Sequence, residues 1–497
     1  MKRKQLTLVI VSLLVVVLSV SLAWFTTQII GKGKTVDVSS ANLQIVFTDS
    51  DGALTETDIE PGWTKTKTFT IKNDTKTEYK YNIVIKDLLN TFVTEGYLQY
   101  KITSTNGGYN MTEFKDIPKS SAPKDTILAY SVVIPNGVTQ SYTIEFKYTN
   151  DESVDQSDDM GKKLSGTLFI TEGTEPTLLT QLLADKSTVL TRTDFSKVLT
   201  NDNTNTLYTS TEDSKAVYYF AGNATDNWVK FGKNASNQDL YWRIIRTNSD
   251  GGVRLLYHGT STTATDAYIG KSVFNSIDTD SIYAGYMYGT SGSLINNRKN
   301  TNNSTIKTAI DNWYASNMTS YTKYLSTTAV YCNDRKVGSG TYSATGSTFY
   351  YAAYTRLVTN KTPTYDCSAT EDKFTADTST GNGKLTYPIA LMTADEVSFA
   401  GGLWATNAPT WYYYNSANGS STGSIYWWLL SPHTWDGGNT VIFIIYDSSF
   451  PGFLNGYFAS VEFGIRPVIS LKSCVKWKSG DGSASSPYEI LETTSGC

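Results

Sequence analysis

The chain has 497 residues, which exceeds one ordinary domain and predicts about two or three, each long enough to bury a sizeable core. Charged residues are 18% of the total and the net charge is −4, with Lys and Arg scattered, so the composition indicates neither a nucleic-acid partner nor any other strongly charged one. Only two histidines, His258 and His433, and four cysteines without a CxxC pair are present, which fails the spacing and the ligand supply of a zinc framework; no metal or cofactor is predicted.

Lys2, Arg3 and Lys4 precede an uncharged run from Gln5 to Ile30, long enough to span a hydrocarbon core. Residues 1–31 are therefore a predicted signal or transmembrane segment, with positive charge holding the N-terminus inside and the rest of the chain outside. Ser21-Leu22-Ala23 is a small-x-small cleavage candidate, so retention at the extracellular face of the membrane and secretion after cleavage both stay open. Residues 32–40 read as a polar tether.

From 41 to 172 the chain reads as an all-β stalk domain. Strand-like runs recur at LQIVF (43–47), TKTFTIKN (66–73), KYNIVIKD (80–87), YLQYKIT (97–103), ILAYSVVI (127–134), QSYTIEFKY (140–148) and KLSGTLFIT (163–171), separated by turn signals such as Pro135-Asn136-Gly137. About seven strands suit an immunoglobulin-like sandwich. The block IEPGWTKTKTFTIKND (59–74), downstream of an AWFT membrane exit, is similar to the camelysin and biofilm-fibre surface proteins of Gram-positive bacteria. The proteolytic activity of that family does not carry over, because no metal-ligand set is present.

Residues 173–200 switch to a helical connector, with Pro176 near its start and Leu178, Leu179, Leu182 and Leu183 at helical spacing. Residues 201–474 then form the predicted α+β head, followed by a C-terminal extension over 475–497. Within the head, 240–259 reads as a hairpin turning at Asn248 to Gly252. A helix over 305–317 starts at the cap Ser304, and another starts at Thr393, where Thr-Ala-Asp-Glu forms a capping box. The four cysteines agree with export and allow three pairings, of which Cys332 with Cys367 and Cys474 with Cys497 are the sequence-local choice.

The window 440–447 alternates Val441, Phe443 and Ile445 with Ile442, Ile444 and Tyr446, and reads either as a strand with one exposed face or as one buried on both. Beyond it, Phe450, Phe453, Leu454, Tyr457 and Phe458 are broken by Gly452 and Gly456, which favour surface turns. Contiguous apolar rings on such a surface mark an interaction site. The predicted ligand-binding set is Trp435, Ile442, Ile444, Tyr446, Phe450, Phe453, Leu454, Tyr457 and Phe458, flanked by Tyr412 and Tyr414 from the aromatic loop after Pro409. Trp427 and Trp428, beside Leu429 and Leu430, are assigned to the core. Ser431, His433 and Asp436 lie close in sequence, but nothing around them resembles a nucleophile elbow, and no catalytic residue is predicted.

The blocks LMTADEVSFAGG (391–402), YWWLLSP (426–432) and GIRPVISL (464–471) resemble the C-terminal domains of bacterial surface proteins that carry WWLRSP-like and GVRP-like blocks around a variable stretch. Leu430 stands where that pattern has Arg, and Ile465 where it often has Val. Some of these domains resemble the C-type-lectin-fold variable proteins of diversity-generating retroelements, in which adenines of AAC codons are randomised. That mechanism never yields Lys, Glu, Gln, Met or Trp, and residues 436–460 contain none of them, nor Arg or Cys. The resemblance implies a C-type-lectin-like head and a surface-displayed protein that binds a protein or glycan ligand. A structural biofilm-matrix or fibre subunit and an exported enzyme are the competing classes. Calcium is not predicted, because the Glu-Pro-Asn and Gln-Pro-Asp signatures of sugar-binding lectins are missing.

Overall fold

The computed structural model describes residues 35–40, 43–49, 54–56, 59–74, 77–173, 175–186, 188–265, 267–408, 425–447 and 449–497. Strand outweighs helix, 40% to 13%, so the chain is mostly β-sheet even where an α+β balance is expected. No helix among the described residues is long and apolar enough to cross a membrane, and the predicted 1–31 segment lies outside them. Contacts divide the chain into two compact units, Met1–Glu175 and Pro176–Cys497.

The first unit holds two antiparallel sheets. One runs in the order Thr35–Ser40, Leu43–Asp49, Thr64–Asn73, Thr139–Tyr148, Leu98–Ser104, Lys115–Asp116, and the other in the order Leu54–Glu56, Leu164–Glu172, Tyr79–Asn90, Ser120–Ile134. The period-two pattern decides which side chains turn inward: along Thr139–Tyr148, Tyr142, Ile144, Phe146 and Tyr148 are buried while Ser141 and Glu145 are exposed. These residues share one core with Ile83, Ile85, Leu128 and Leu168 of the other sheet. A polar tie joins the sheets inside that core, where Tyr81 Oη lies 2.5 Å from both Gln140 Oε1 and Tyr142 Oη. The expected tether is shorter than predicted, because Thr35–Ser40 pairs in register with Leu43–Asp49 and so belongs to the sheet.

In the second unit the predicted connector is a single helix, Leu178–Asp185, capped by the Thr177 side chain, and it belongs to the domain. Leu178 and Leu182, one turn apart, are both buried in the main core, which is why the segment cannot act as a free linker. Thr188–Thr191 then pairs with Thr206–Glu212 at the edge of a ten-stranded sheet. The predicted C-terminal extension is corrected in the same way. Tyr488–Ile490 pairs with Trp228–Lys233, and Val475, Tyr488 and Ile490 are core residues.

The hairpin Asp239–Thr247 with Val253–Gly259, helix Thr305–Asn317 with its Ser304 cap, and the Thr393–Glu396 capping box of helix Ala394–Phe399 all stand where the sequence puts them. Cys332 is bonded to Cys367 and Cys474 to Cys497, each with Cα atoms 5.7 Å apart. A second, eight-stranded sheet carries the candidate site; its core order is Lys271–Val273, Glu462–Gly464, Trp427–Trp435, Thr440–Ile445, Phe453–Phe458, Leu403–Trp404.

Candidate functional site

Thr440–Ile445 and Phe453–Phe458 form an antiparallel pair with Ile442 opposite Tyr457, Ile444 opposite Asn455 and Ile445 opposite Leu454. Their connection is built by Asp447, whose carboxylate accepts from Ser449 N–H and whose carbonyl accepts from Phe450 N–H, and by Gly452 at φ +68°. Thr440–Ile445 is buried on both faces, and Trp427–Trp435 covers its other edge.

The predicted binding set therefore divides. Trp435, Ile442, Ile444 and Leu454 are core residues, at most 1% exposed, and none can meet a ligand; this corrects their assignment. The cause is the central place of Thr440–Ile445 in the sheet, which leaves neither face open. Trp435 is fixed further by its indole N–H, which donates to Gly346 O at 3.1 Å. Trp427 and Trp428 are buried, as assigned. Phe450, Tyr457 and Phe458 stand 47%, 40% and 42% exposed, and Tyr446 and Phe453 are half-buried. Tyr412 and Tyr414 lie outside the described residues.

The outward rings are continuous. Phe450 meets Phe453 at 6.0 Å, Phe453 stacks on Tyr446 at 4.7 Å, and Tyr446 stacks on Tyr426 at 4.4 Å with planes 4° apart. Tyr426 contacts Phe463 at 5.4 Å, Phe463 contacts Tyr457 at 5.2 Å, and Tyr457 contacts Phe458 at 6.0 Å. Buried Trp428 supports the array from beneath, 5.0 Å from Phe463. Asn455, on the same face as Phe453 and Tyr457, donates its side-chain N–H to Tyr446 Oη at 2.7 Å. Sequence reasoning missed Tyr426, which sits in the block 426–432 read as framework, and Phe463, which lies between the 436–460 window and the block 464–471. The available signal was that both are aromatic residues flanking that window.

His433 lies beneath Gly456. A Cβ on that glycine would stand 2.9 Å from the imidazole ring and 2.8 Å from Val441, so the close approach requires glycine. Trp404 stacks on the imidazole at 4.9 Å, with Tyr354 at 4.7 Å and Phe443 at 4.8 Å edge-on. Burial in this ring cage pushes the His433 pKa down to about 3, and neither ring nitrogen has a hydrogen-bond partner among the described residues. Ser431 Oγ accepts from Ala394 N–H, and the Asp436 carboxylate accepts from Gly438 and Asn439 N–H, so these two and His433 form no relay.

Behind this sheet a small cavity of about 20 Å³, room for about one water, is lined by Arg246, Arg254, Arg356, Asp334, Asp395 and Glu396 but not by His433. Its charges are paired: Glu396 with Arg246 at 2.9 Å and Arg254 at 2.7 Å, and Arg356 with Asp334 at 2.8 Å and Asp395 at 2.7 Å. Burial opposes the charge on Glu396, but Arg254 and Arg246 outweigh it and hold the carboxyl below its usual range. Removing one partner would strand a buried charge, so the network is read as scaffold. In the first unit, a shallow concavity of about 370 Å³ is lined by Thr and Ser hydroxyls over the stacked Phe69 and Tyr142 rings, with no charged side chain. Among the described residues, no group of three His, Cys, Asp or Glu side chains is placed to hold a metal ion.

The chain matches no protein-family model, no curated protein and no solved structure.

Proposed function

We propose that this is a surface-displayed recognition protein that binds a protein or glycan ligand through the aromatic array of Tyr426, Tyr446, Phe450, Phe453, Tyr457, Phe458 and Phe463. The observation that carries the reading is the continuity of these rings together with the exposure of Phe450, Tyr457 and Phe458. Soluble proteins keep most large rings covered, and a contiguous uncovered group is typical of a contact surface. Tyr and Phe offer much contact area at low entropy cost. Residues 436–460 contain no Lys or Arg, which argues for an uncharged ligand surface over an anionic one.

In this reading the Lys2-Arg3-Lys4 start and the apolar run after it hold the chain at the extracellular face of the membrane, or export it if cleaved. The first unit is an immunoglobulin-like module and the second a C-type-lectin-like domain, supported by the two-sheet core and by the blocks at 391–402, 426–432 and 464–471. Diversification of 436–460, as in retroelement-targeted proteins, is supported by the restricted residue set. If it operates, differences between gene copies from sister strains fall at 446, 450, 453, 457 and 458 and spare 442 to 445; an even spread over the window would remove the idea.

The binding test replaces Phe450, Phe453 and Tyr457 with Ser and measures retention of glycan and protein probes against thermal unfolding. Loss of binding with little change in unfolding temperature is expected. Unchanged binding of a ligand that the parent chain retains would overturn the reading, and concentration-dependent polymerisation without foreign ligand would favour a matrix or fibre subunit instead.

A further inference from the structure

Helix Leu178–Asp185 ends by turning Lys186 into the interior of the second unit, where it meets Asp226, 40 residues further on. The two side chains are 1% and 8% exposed. Lys186 Nζ donates to Asp226 Oδ2 at 2.6 Å and to the Asp226 carbonyl at 3.1 Å. The rings of Phe220 and Tyr488 lie 5.8 and 5.6 Å from Nζ. Gly482 packs so tightly on the Asp226 carbonyl that a Cβ there would stand 2.4 Å from it. Asn205 N–H donates to Oδ2 at 2.7 Å, whereas the buried Oδ1 has no partner among the described residues.

As an ion pair this arrangement gains little, because desolvation of both charges offsets most of their attraction. Transfer of one proton along the 2.6 Å hydrogen bond leaves a free amine held against a carboxylic acid, and such fixed proximity is worth a very high effective concentration.

We propose that Lys186 and Asp226 condense into an intramolecular isopeptide bond. Nζ attacks Cγ, and the C–N bond forms while negative charge develops on Oδ1. The Cγ–Oδ2 bond then breaks, with the Asn205 N–H aimed at the departing oxygen. Oδ2 leaves as water with the proton it took from Nζ and one of the two remaining amine protons, and the amide keeps one N–H. No oxidant, cofactor or second protein is needed. None of these residues belongs to the aromatic array.

The test is mass spectrometry of the full chain, unfolded and with its disulfides reduced. Expected are a branched proteolytic peptide joining the Lys186 and Asp226 segments and an intact mass short by one water, both lost in Lys186→Arg. Arginine keeps a cation beside Asp226 and cannot form the amide. The wild-type digest decides the matter even if that variant folds poorly: two linear peptides at full mass, with no branched product, would overturn the proposal.

Discussion

Thr440–Ile445 and Phe453–Phe458 are adjacent strands rich in apolar residues, yet every residue of the first is buried, whereas in the second only Leu454 is buried and Tyr457 and Phe458 are exposed. The difference lies in their neighbours. Thr440–Ile445 has a long strand on each side, whereas the far edge of Phe453–Phe458 meets only the two-residue Leu403–Trp404. Apolar content is thus a poor guide to a binding surface within one sheet, and the extent of strand pairing is a better one.

Four measurements test the difference between these two strands. The largest effect is expected in the inner strand: Phe443→Ala should cost about 3–5 kcal/mol in denaturant unfolding, as truncated buried rings do. A cost below about 1 kcal/mol would show the strand to be less enclosed than described. Next is the pH dependence set by His433. Its folded-state pKa of about 3 lies below the ordinary 6.5, so the unfolded chain takes up the proton first. Stability is therefore fully present above about pH 6.5 and falls as the pH drops toward 3, by up to about 4 kcal/mol from this group. His433→Phe should flatten that part of the profile, and an unchanged slope would assign it to other groups. Third, Gly456→Ala should cost about 1–3 kcal/mol, since the added methyl meets the imidazole and Val441. Smallest on stability is Phe450→Ser, expected within about 0.5 kcal/mol of the parent while weakening ligand retention at least about tenfold. The reverse pattern would return Phe450 to the core.

Local signals carried much of the fold. The Ser304 cap, the Thr393–Glu396 capping box, the 240–259 hairpin and both disulfides depend on residues close in sequence, and each was legible there. What failed depends on distant partners. Thr35–Ser40 carries too few apolar side chains to announce a strand, and its pairing with Leu43–Asp49 settles it. Leu178 and Leu182 give a helix in either context, and only the core against them separates a domain element from a linker. The same holds for the candidate site: the aromatic window was visible, but Ile442 and Ile444 could be separated from Tyr457 only by knowing which strand is central. Tyr426 and Phe463 escaped because the stack through Tyr446 joins residues far apart in the chain.

That stack has a kinetic consequence. Tyr446 is clamped between Tyr426 and Phe453, and its hydroxyl is held by Asn455. A ring already immobile loses little freedom when a partner lands on it, so association needs no rearrangement there. Under the proposed function, loosening the clamp by Asn455→Ala should then act mainly by shortening the lifetime of the complex, with the rate of encounter nearly unchanged.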